Sequence, residues 1–275
     1  MTTSRSLQLA LVGLVALPAT LTCAALVELA LTPPERIVSG TPLAAVSLNA
    51  TPHPLDPAGF YRDGLAARDA GDLARAEVLV RSALAREPQH ALWQNTLGLI
   101  LSEQGRYPEA IEAFERAVTA EPAFTEAQAN LGAAYDAMRQ PARALAAYQA
   151  AVRADPGFAP AYVGLGTVLM DQGRLPEAIE SFKRALELDP TLAAAELNLG
   201  VAYGRLGDWA SAVERLEQAV ALRPDHAATL YSLGVAYQST DRRDEARTTF
   251  ESVVALDPQG TWGAQAARQL TPDQP

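Results

Sequence analysis

Prolines 88, 122, 156, 190, 224 and 258 stand 34 residues apart without a break. A strict interval of this kind has to be settled before any fold is considered. Other columns keep the same register. A glycine stands 24 residues before each proline (Gly64, Gly98, Gly132, Gly166, Gly200, Gly234), and an alanine 12 residues before it (Ala76, Ala110, Ala144, Ala178, Ala212, Ala246). An acid precedes five of the six prolines (Glu87, Glu121, Asp155, Asp189, Asp257), with Arg223 as the exception. Equal units of this size each hold too little apolar surface for a private core, so neighbours must bury one another.

Within a block the apolar residues follow a helical period. In the fourth block Tyr162, Leu165 and Leu169 form one stripe, and Ala178, Ile179, Phe182, Ala185 and Leu186 a second. Between them Gly173-Arg174-Leu175-Pro176 combines a residue that ends helices with one tolerated in a first helical turn. Asp189-Pro190 closes the block, because the residue before proline is biased away from helix. Each block therefore reads as helix A, tight turn, helix B, turn. The glycine and alanine columns fall inside these helices, where glycine costs roughly 1 kcal/mol relative to alanine. A cost repeated in every block points to one cause: helix A approaching helix B too closely for a larger side chain. Large residues (Trp93 or Tyr162; Leu97, Leu131, Leu165, Leu199; Phe114, Phe182, Phe250) are expected around that contact.

The second block, with Trp93, Leu97-Gly98, Gly105, Ala110, Phe114, Ala117 and Pro122, resembles the tetratricopeptide repeat. The resemblance covers residues 57–260. It implies an all-α fold: a right-handed α-solenoid of six helix-turn-helix repeats, at 57–90, 91–124, 125–158, 159–192, 193–226 and 227–260. The first block departs most, with Asp63 in place of the leucine before glycine, as suits an end repeat facing water; the third and sixth lack the turn glycine and carry Arg139 and Asp241. Residues 261–270 follow as a short capping helix, with Trp262, Ala266 and Leu270 at i, i+4 and i+8, and 271–275 as a disordered tail.

Ahead of the repeats, residues 1–31 hold an N-terminal hydrophobic helix, charge-free from Leu7 to Val27 and long enough to span a bilayer. Two readings stay open. In one, residues 7–31 are an uncleaved membrane anchor. In the other, Leu7–Leu17 is the core of a signal peptide, broken by Pro18 and cleaved after Thr22-Cys23-Ala24. Arg5 before the span, and Glu28, Glu35 and Arg36 after it, place the repeats on the extracytoplasmic side, anchored or secreted. Residues 32–56, with Pro33, Pro34, Pro42, Pro52 and Pro54, form a linker.

The residues show no catalytic constellation and no cofactor or metal site. Cys23 is the one cysteine, and His90 and His226 share one repeat position just ahead of a helix A, which fits a turn role. A net charge of −10 with a single lysine, Lys183, disfavours nucleic acid. No small-molecule substrate is expected. Function falls to surface. By the resemblance, helices A line a concave groove that holds a protein or peptide partner. Carried over position by position, that face comprises Tyr61, Asn95, Leu99, Asn130, Ala133, Val163, Thr167, Leu197, Asn198, Val201, Tyr231 and Val235. The lysine positions of the family's carboxylate clamp hold Tyr61 and Glu126, so a partner's terminal carboxylate is not expected there. Asn130 and Asn198 either hold an extended backbone or brace their own helices. The resulting expectation is a non-enzymatic scaffold. The alternatives are a chaperone or subunit of an envelope assembly or secretion machine, and an accessory domain for a separately encoded enzyme.

Overall fold

The structure, a computed structural model, describes residues 56–271. The hydrophobic leader, nearly all of the linker and the last four residues lie outside it. Among the described residues no helix is long and apolar enough to cross a membrane. The described chain is helical, without strands, and divides after Gly164 into two compact units, each described by itself.

The first unit holds α1 (Pro57–Asp69), α2 (Leu73–Leu84), α3 (Ala91–Glu103), α4 (Tyr107–Ala120), α5 (Thr125–Ala137) and α6 (Pro141–Ala154). The division falls inside α7 (Ala159–Asp171). The second unit continues with α8 (Leu175–Leu188), α9 (Ala193–Leu206), α10 (Trp209–Leu222), α11 (Ala227–Ser239), α12 (Arg243–Leu256) and α13 (Thr261–Leu270). Odd-numbered helices up to α11 are helices A, and even-numbered ones are helices B.

Each helix starts and stops for local reasons. Asp56, Asp72 and Asp208 cap α1, α2 and α10 by accepting backbone N–H bonds from Ala58, Arg75 and Ser211 at 3.1–3.2 Å. Prolines occupy the first turn of α1, α4, α6 and α8. The acid before the repeat proline is extended, with φ near −140° at Glu121, Asp155 and Asp189. At two of the five acids the side chain also takes part: Asp155 and Asp189 each accept the amide two residues on, at 2.8 and 2.9 Å, turning the chain towards the next helix A.

The A-to-B turns share one closure. The amides of Asp72, Arg106, Gln140, Arg174, Asp208 and Arg242 bond back to the carbonyls of Ala67, Leu101, Tyr135, Leu169, Tyr203 and Tyr237 at 2.8–3.0 Å. This requires a left-handed residue just before each of those amides. Gly71, Gly105, Gly173 and Gly207 supply it with φ of 75–83°, whereas Arg139 and Asp241 are forced to φ of 56° and 59°. A side chain in that region costs about 1 kcal/mol. Arg139→Gly and Asp241→Gly are each expected to raise stability by roughly that amount, read as a shift in the urea midpoint at unchanged slope.

The glycine column faces helix B of its own repeat. A Cβ built on Gly98 would lie 2.5 Å from the Phe114 ring; on Gly166, 2.6 Å from Phe182; on Gly234, 2.6 Å from Phe250. Gly132 meets Tyr148 at 2.9 Å, Gly200 meets Leu216 at 2.6 Å and Gly64 meets Val80 at 2.8 Å. The close approach is therefore real, and the large side chain sixteen residues on occupies the glycine's own space. The alanine column beside it is buried throughout.

Two expectations are corrected. Trp93 is buried, but Tyr162 lies one position further along its helix. It is half-buried, and its hydroxyl donates to the Pro156 carbonyl at 3.3 Å. The two are not equivalent. Nor is burial on helix A a single stripe. In α7 the buried residues include Ala161, Val163, Val168 and Met170 as well as Leu169, while Leu165 is only half-buried. Helices A meet both their own helix B and neighbouring elements, so more than one stripe is covered. Asp63, by contrast, is exposed, as an end repeat needs. At the other end α13 buries Trp262 and Ala266 against α12 and leaves Ala267, Arg268 and Gln269 in water.

Candidate partner-binding face

Charge is gathered on helices B and the turns. There Arg106 holds Glu77 at 2.7 Å and also Glu109, while Arg81 pairs with Glu77 at 3.0 Å. These partly exposed pairs contribute little each. Three helices A are nearly bare of charge: α11 has no Asp, Glu, Lys or Arg, and α3 and α7 have one acid each, Glu103 and Asp171, whereas α1 carries Arg62, Asp63, Arg68 and Asp69, α5 Glu126 and Asp136, and α9 Glu196 and Arg205. Surface exposed by α11, and most of that exposed by α3, is thus apolar or neutral-polar.

In the first unit, Tyr61 lies on α1, Asn95 and Leu99 on α3, Asn130 and Ala133 on α5, and Val163 on α7. Tyr61, Leu99, Asn130 and Ala133 are half-buried. Asn95 is buried, and Val163 has 0% exposure, which leaves it no surface to offer. Residues one repeat apart reach each other. The Tyr61 and Thr96 hydroxyls are 3.1 Å apart, and the Asn130 amide donates to the Asn95 carbonyl oxygen at 3.0 Å. Asn130 thus braces a neighbouring helix A, not its own. Trp93 stacks between His90 (centroids 4.0 Å) and Tyr61 (5.5 Å), and burial pushes the Tyr61 phenol up. His90 and His226 are both N-cap residues, the turn role expected of their position.

In the second unit, Thr167 lies on α7, Leu197, Asn198 and Val201 on α9, and Tyr231 and Val235 on α11. Thr167 has 0% exposure and Leu197, Asn198, Val201 and Tyr231 are buried, so only Val235 retains substantial surface. The Asn198 amide donates to the Thr167 hydroxyl at 3.4 Å, a bond to the preceding helix A. The position-by-position expectation is therefore corrected at its buried members. Adjacent helices A cover them, and a partner can touch them only where a cleft lets it in.

One cleft does. Gly200, Val201 and Gly204 of α9, Trp209, Ala212 and Leu216 of α10, and Tyr231, Ser232, Val235 and Ala236 of α11 line a cleft of about 30 Å³, partly open to solvent. It brings together Val201, Tyr231 and Val235. Gly204 and Trp209 were not anticipated, although Gly204 is visible as a helix glycine outside the repeating column. Tyr231 also packs against Phe250 (5.6 Å) and Trp262 (5.3 Å), and burial raises its pKa.

Tyr135 and Tyr237 form a second recurring arrangement. Each phenol donates to a carboxylate on the preceding helix B, Glu115 and Glu217, the latter at 2.9 Å. Each lies under a guanidinium, that of Arg143 at 4.8 Å and Arg242 at 4.2 Å. Burial and the neighbouring carboxylate push both phenols up to about 12. The phenol–carboxylate bonds join repeats, and the guanidinium contacts lie within one. Among the described residues no group of three or more His, Cys, Asp or Glu is placed to hold a metal ion.

Glu196 is the one buried acid on α9. Its Oε1 lies 3.6 Å from Arg215, and its Oε2 has no hydrogen-bond partner among the described residues. Burial raises its pKa, offset in part by Arg215 and reinforced by Glu214. A carboxyl raised in the folded state gives its stability below the unfolded value and loses it as pH rises through the folded one. Glu196→Gln is therefore expected to be more stable than wild type at neutral pH, with the difference closing below about pH 4.5, the unfolded value. Paired melting curves across pH check the sign.

Models described as tetratricopeptide repeat match residues 61–127, 101–167, 158–225 and 191–259, a continuous run through the described helices. The chain belongs to the tetratricopeptide repeat family. A search of curated proteins gives no significant match. Among solved structures, the APC/C hetero-tetramer Cut9-Hcn1 is similar at a TM-score of 0.73 and 18% identity, over 80% of this chain; the match spans only 44% of that chain. PilW, a widely conserved type IV pilus biogenesis factor, matches at 0.70 and 18% identity over 77% of this chain and 98% of its own. YrrB, a tetratricopeptide repeat protein with an unusual peptide-binding site, matches at 0.53 and 20% identity over 69% and 97%. At these identities the likeness is one of fold.

Proposed function

We propose that this tetratricopeptide repeat protein is a non-enzymatic scaffold that binds a peptide or helical segment of a protein partner on the exposed parts of its helices A. The observation that carries the reading is the half-buried Leu99 and Val235 on the near charge-free α3 and α11, with half-buried Asn130 and Ala133 on α5. Apolar groups beside one amide suit an apolar or amphipathic segment whose backbone needs a polar partner. That YrrB, of like fold, has a peptide-binding site is in keeping with it. Residues 7–31 hold the repeats at a membrane or export them, so the partner is extracytoplasmic. Mass spectrometry of the mature amino terminus decides anchored against cleaved.

The test uses Leu99→Glu and Val235→Glu in the full chain. Each places a charge on a half-buried apolar site and leaves the buried contacts alone. Both variants are expected to keep their helical melting curve and to lose a stoichiometric partner retained by wild type from solubilised membranes. Undiminished retention by both would remove the helix A surface from the reading. A second reading, a subunit of an envelope assembly machine, has the fold likeness to the pilus biogenesis factor in its favour. Co-purification in a fixed multi-protein complex separates it from a one-partner scaffold, and capture of many unfolded clients would indicate a chaperone.

A further inference from the structure

We propose that the A-to-B turn of the third repeat, through Arg139 and Arg143, is a docking point for an acidic segment of a partner protein. It stands apart from the face formed by helices A. The first ground is a departure from the repeat. In repeats two, four and six the turn ends on an arginine with a glutamate three residues on, and the two pair: Arg106 with Glu109 at 2.7 Å, Arg174 with Glu177 at 2.7 Å and Arg242 with Glu245 at 2.9 Å. The third repeat has Gln140 and Arg143 at these positions, a cation where the others hold the carboxylate. Residues 137–154 hold no acid, and α6 is the only helix B without one. Arg75 has the place of Arg143 in the first repeat, but Asp69 and Asp72 precede it.

The second ground is what meets the guanidinium. Arg143 and Arg242 each lie over a tyrosine of one column, Tyr135 and Tyr237, whose hydroxyl is given to a glutamate of the preceding repeat. Arg242 is met there by two carboxylates, Glu217 at 3.3 Å and Glu245 at 2.9 Å. Arg143 is exposed and makes no ion pair among the described residues; it bonds the Gln140 amide oxygen at 3.1 Å, and Glu115 is spent on Tyr135. The ring positions a guanidinium in both repeats, and in the sixth the chain closes it with carboxylates. Repeat six thus shows the chemistry that would complete repeat three. A guanidinium fork takes a carboxylate through two parallel bonds.

Arg139 adds a second cation four residues before the first. It too is exposed and makes no ion pair among the described residues, and it holds the left-handed φ of 56° at a place where four repeats have glycine. Asp241, at the same place, uses its side chain to hold Arg243 at 2.7 Å. Arg139 has no such use within the described chain, so a costly backbone carries a side chain that faces water. These two cations oppose the prevailing sign of a chain of net charge −10. At about 0.15 M ionic strength charge effects fade over roughly 8 Å, so distant acids repel a short acidic segment weakly while its contacts with the two guanidinium groups persist. A membrane or a nucleic acid extends past that range and meets the acidic surface around the turn.

The probe is a fluorescein-labelled Gly-Ser peptide carrying glutamates, compared with its glutamine counterpart and titrated with the full chain in detergent by anisotropy at that ionic strength. The glutamate peptide is expected to bind about tenfold more tightly, the effect of two exposed ion pairs. Arg139→Gly and Arg143→Glu should each remove roughly threefold of that preference, and together all of it. Arg139→Gly is the sharper of the two, because it should weaken binding while raising the urea midpoint, which separates a lost contact from a lost fold. Arg75→Glu changes the net charge as much as Arg143→Glu and should leave the preference intact, as should Leu99→Glu. Equal affinity for the two peptides, including no detectable binding of either, overturns the docking point, and so does an equal loss on Arg75→Glu. Phosphatidylglycerol vesicles that bind wild type better than the double variant, with the glutamate peptide unbound, would give the arginines to a lipid surface and overturn it as well. Should Leu99→Glu lose the membrane partner yet keep the glutamate preference, both faces stand; should the glutamate preference be missing from wild type while Leu99→Glu still loses the partner, the docking point falls and the scaffold reading stands.

Discussion

Gly98→Leu is expected to destabilise the first unit by about 3 kcal/mol, at the upper end of overpacking costs. Two effects oppose each other at this site. Leucine is the better helix former, by close to 1 kcal/mol. Against that, the first added carbon already falls 2.5–2.8 Å from three atoms of the Phe114 ring. Phe114 is 1% exposed, with Ala110 and Ala117 at 0% on the same helix, so the ring has no open side to move into. Packing wins, α3 and α4 must separate, and the contacts of α4 with α5 go with them. Gly105→Ala is the control. It is also a glycine of the second repeat, but nothing lies within 4 Å of its would-be Cβ, and its φ is +75°. Its cost is one of backbone alone, about 1 kcal/mol. Urea denaturation of the two variants should therefore rank Gly98→Leu well below Gly105→Ala. The reverse order would mean that the glycine column serves backbone conformation and not interhelical distance.

That ranking also shows what the sequence made legible. A 34-residue period identifies equivalent positions, and equivalence was enough to place both helices of every repeat and the tight A–B contact, while the helix after them was read from the i, i+4, i+8 spacing of Trp262, Ala266 and Leu270. The hydrogen-bonded turn closure even survives at Arg139 and Asp241, where the glycine is missing, because six amides still reach their carbonyls. Period does not report how far a neighbouring repeat covers a given face. Asn130 and Asn198 hold the same repeat position, yet one is half-buried against Asn95 and the other 3% exposed against Thr167. The difference comes from the residues they meet one repeat away, which is tertiary information. Val163 and Thr167 failed as surface residues for the same reason. Gly204 shows the opposite case. It was readable, but only as a departure from the period, and a search for recurring columns passes over departures.

Gly263→Ala is expected to release α13 altogether and cost about 3–5 kcal/mol, the range of losing a buried tryptophan. The added carbon would lie 1.8 Å from the Asp257 carbonyl oxygen and 2.7 Å from its carbonyl carbon. These are backbone atoms just ahead of Pro258, whose φ is fixed, so they cannot rotate aside as a side chain can. Moving Gly263 instead breaks the two bonds that start the helix, since the Asp257 Oδ2 accepts the amides of Trp262 at 3.0 Å and Gly263 at 3.3 Å. A ten-residue helix without its cap does not persist alone in water. Trp262 and Ala266 would then leave their buried sites, and Tyr231 would lose the ring 5.3 Å away that fixes one side of the α9–α11 cleft. Hydrogen exchange should show the α13 amides unprotected while those of α9 and α10 stay slow. Trp262→Ala, which removes the ring but no backbone space, should lose less protection along α13. If Gly263→Ala keeps full protection there, the Asp257 carbonyl does not fence the glycine in, and the cap is held by Trp262 alone.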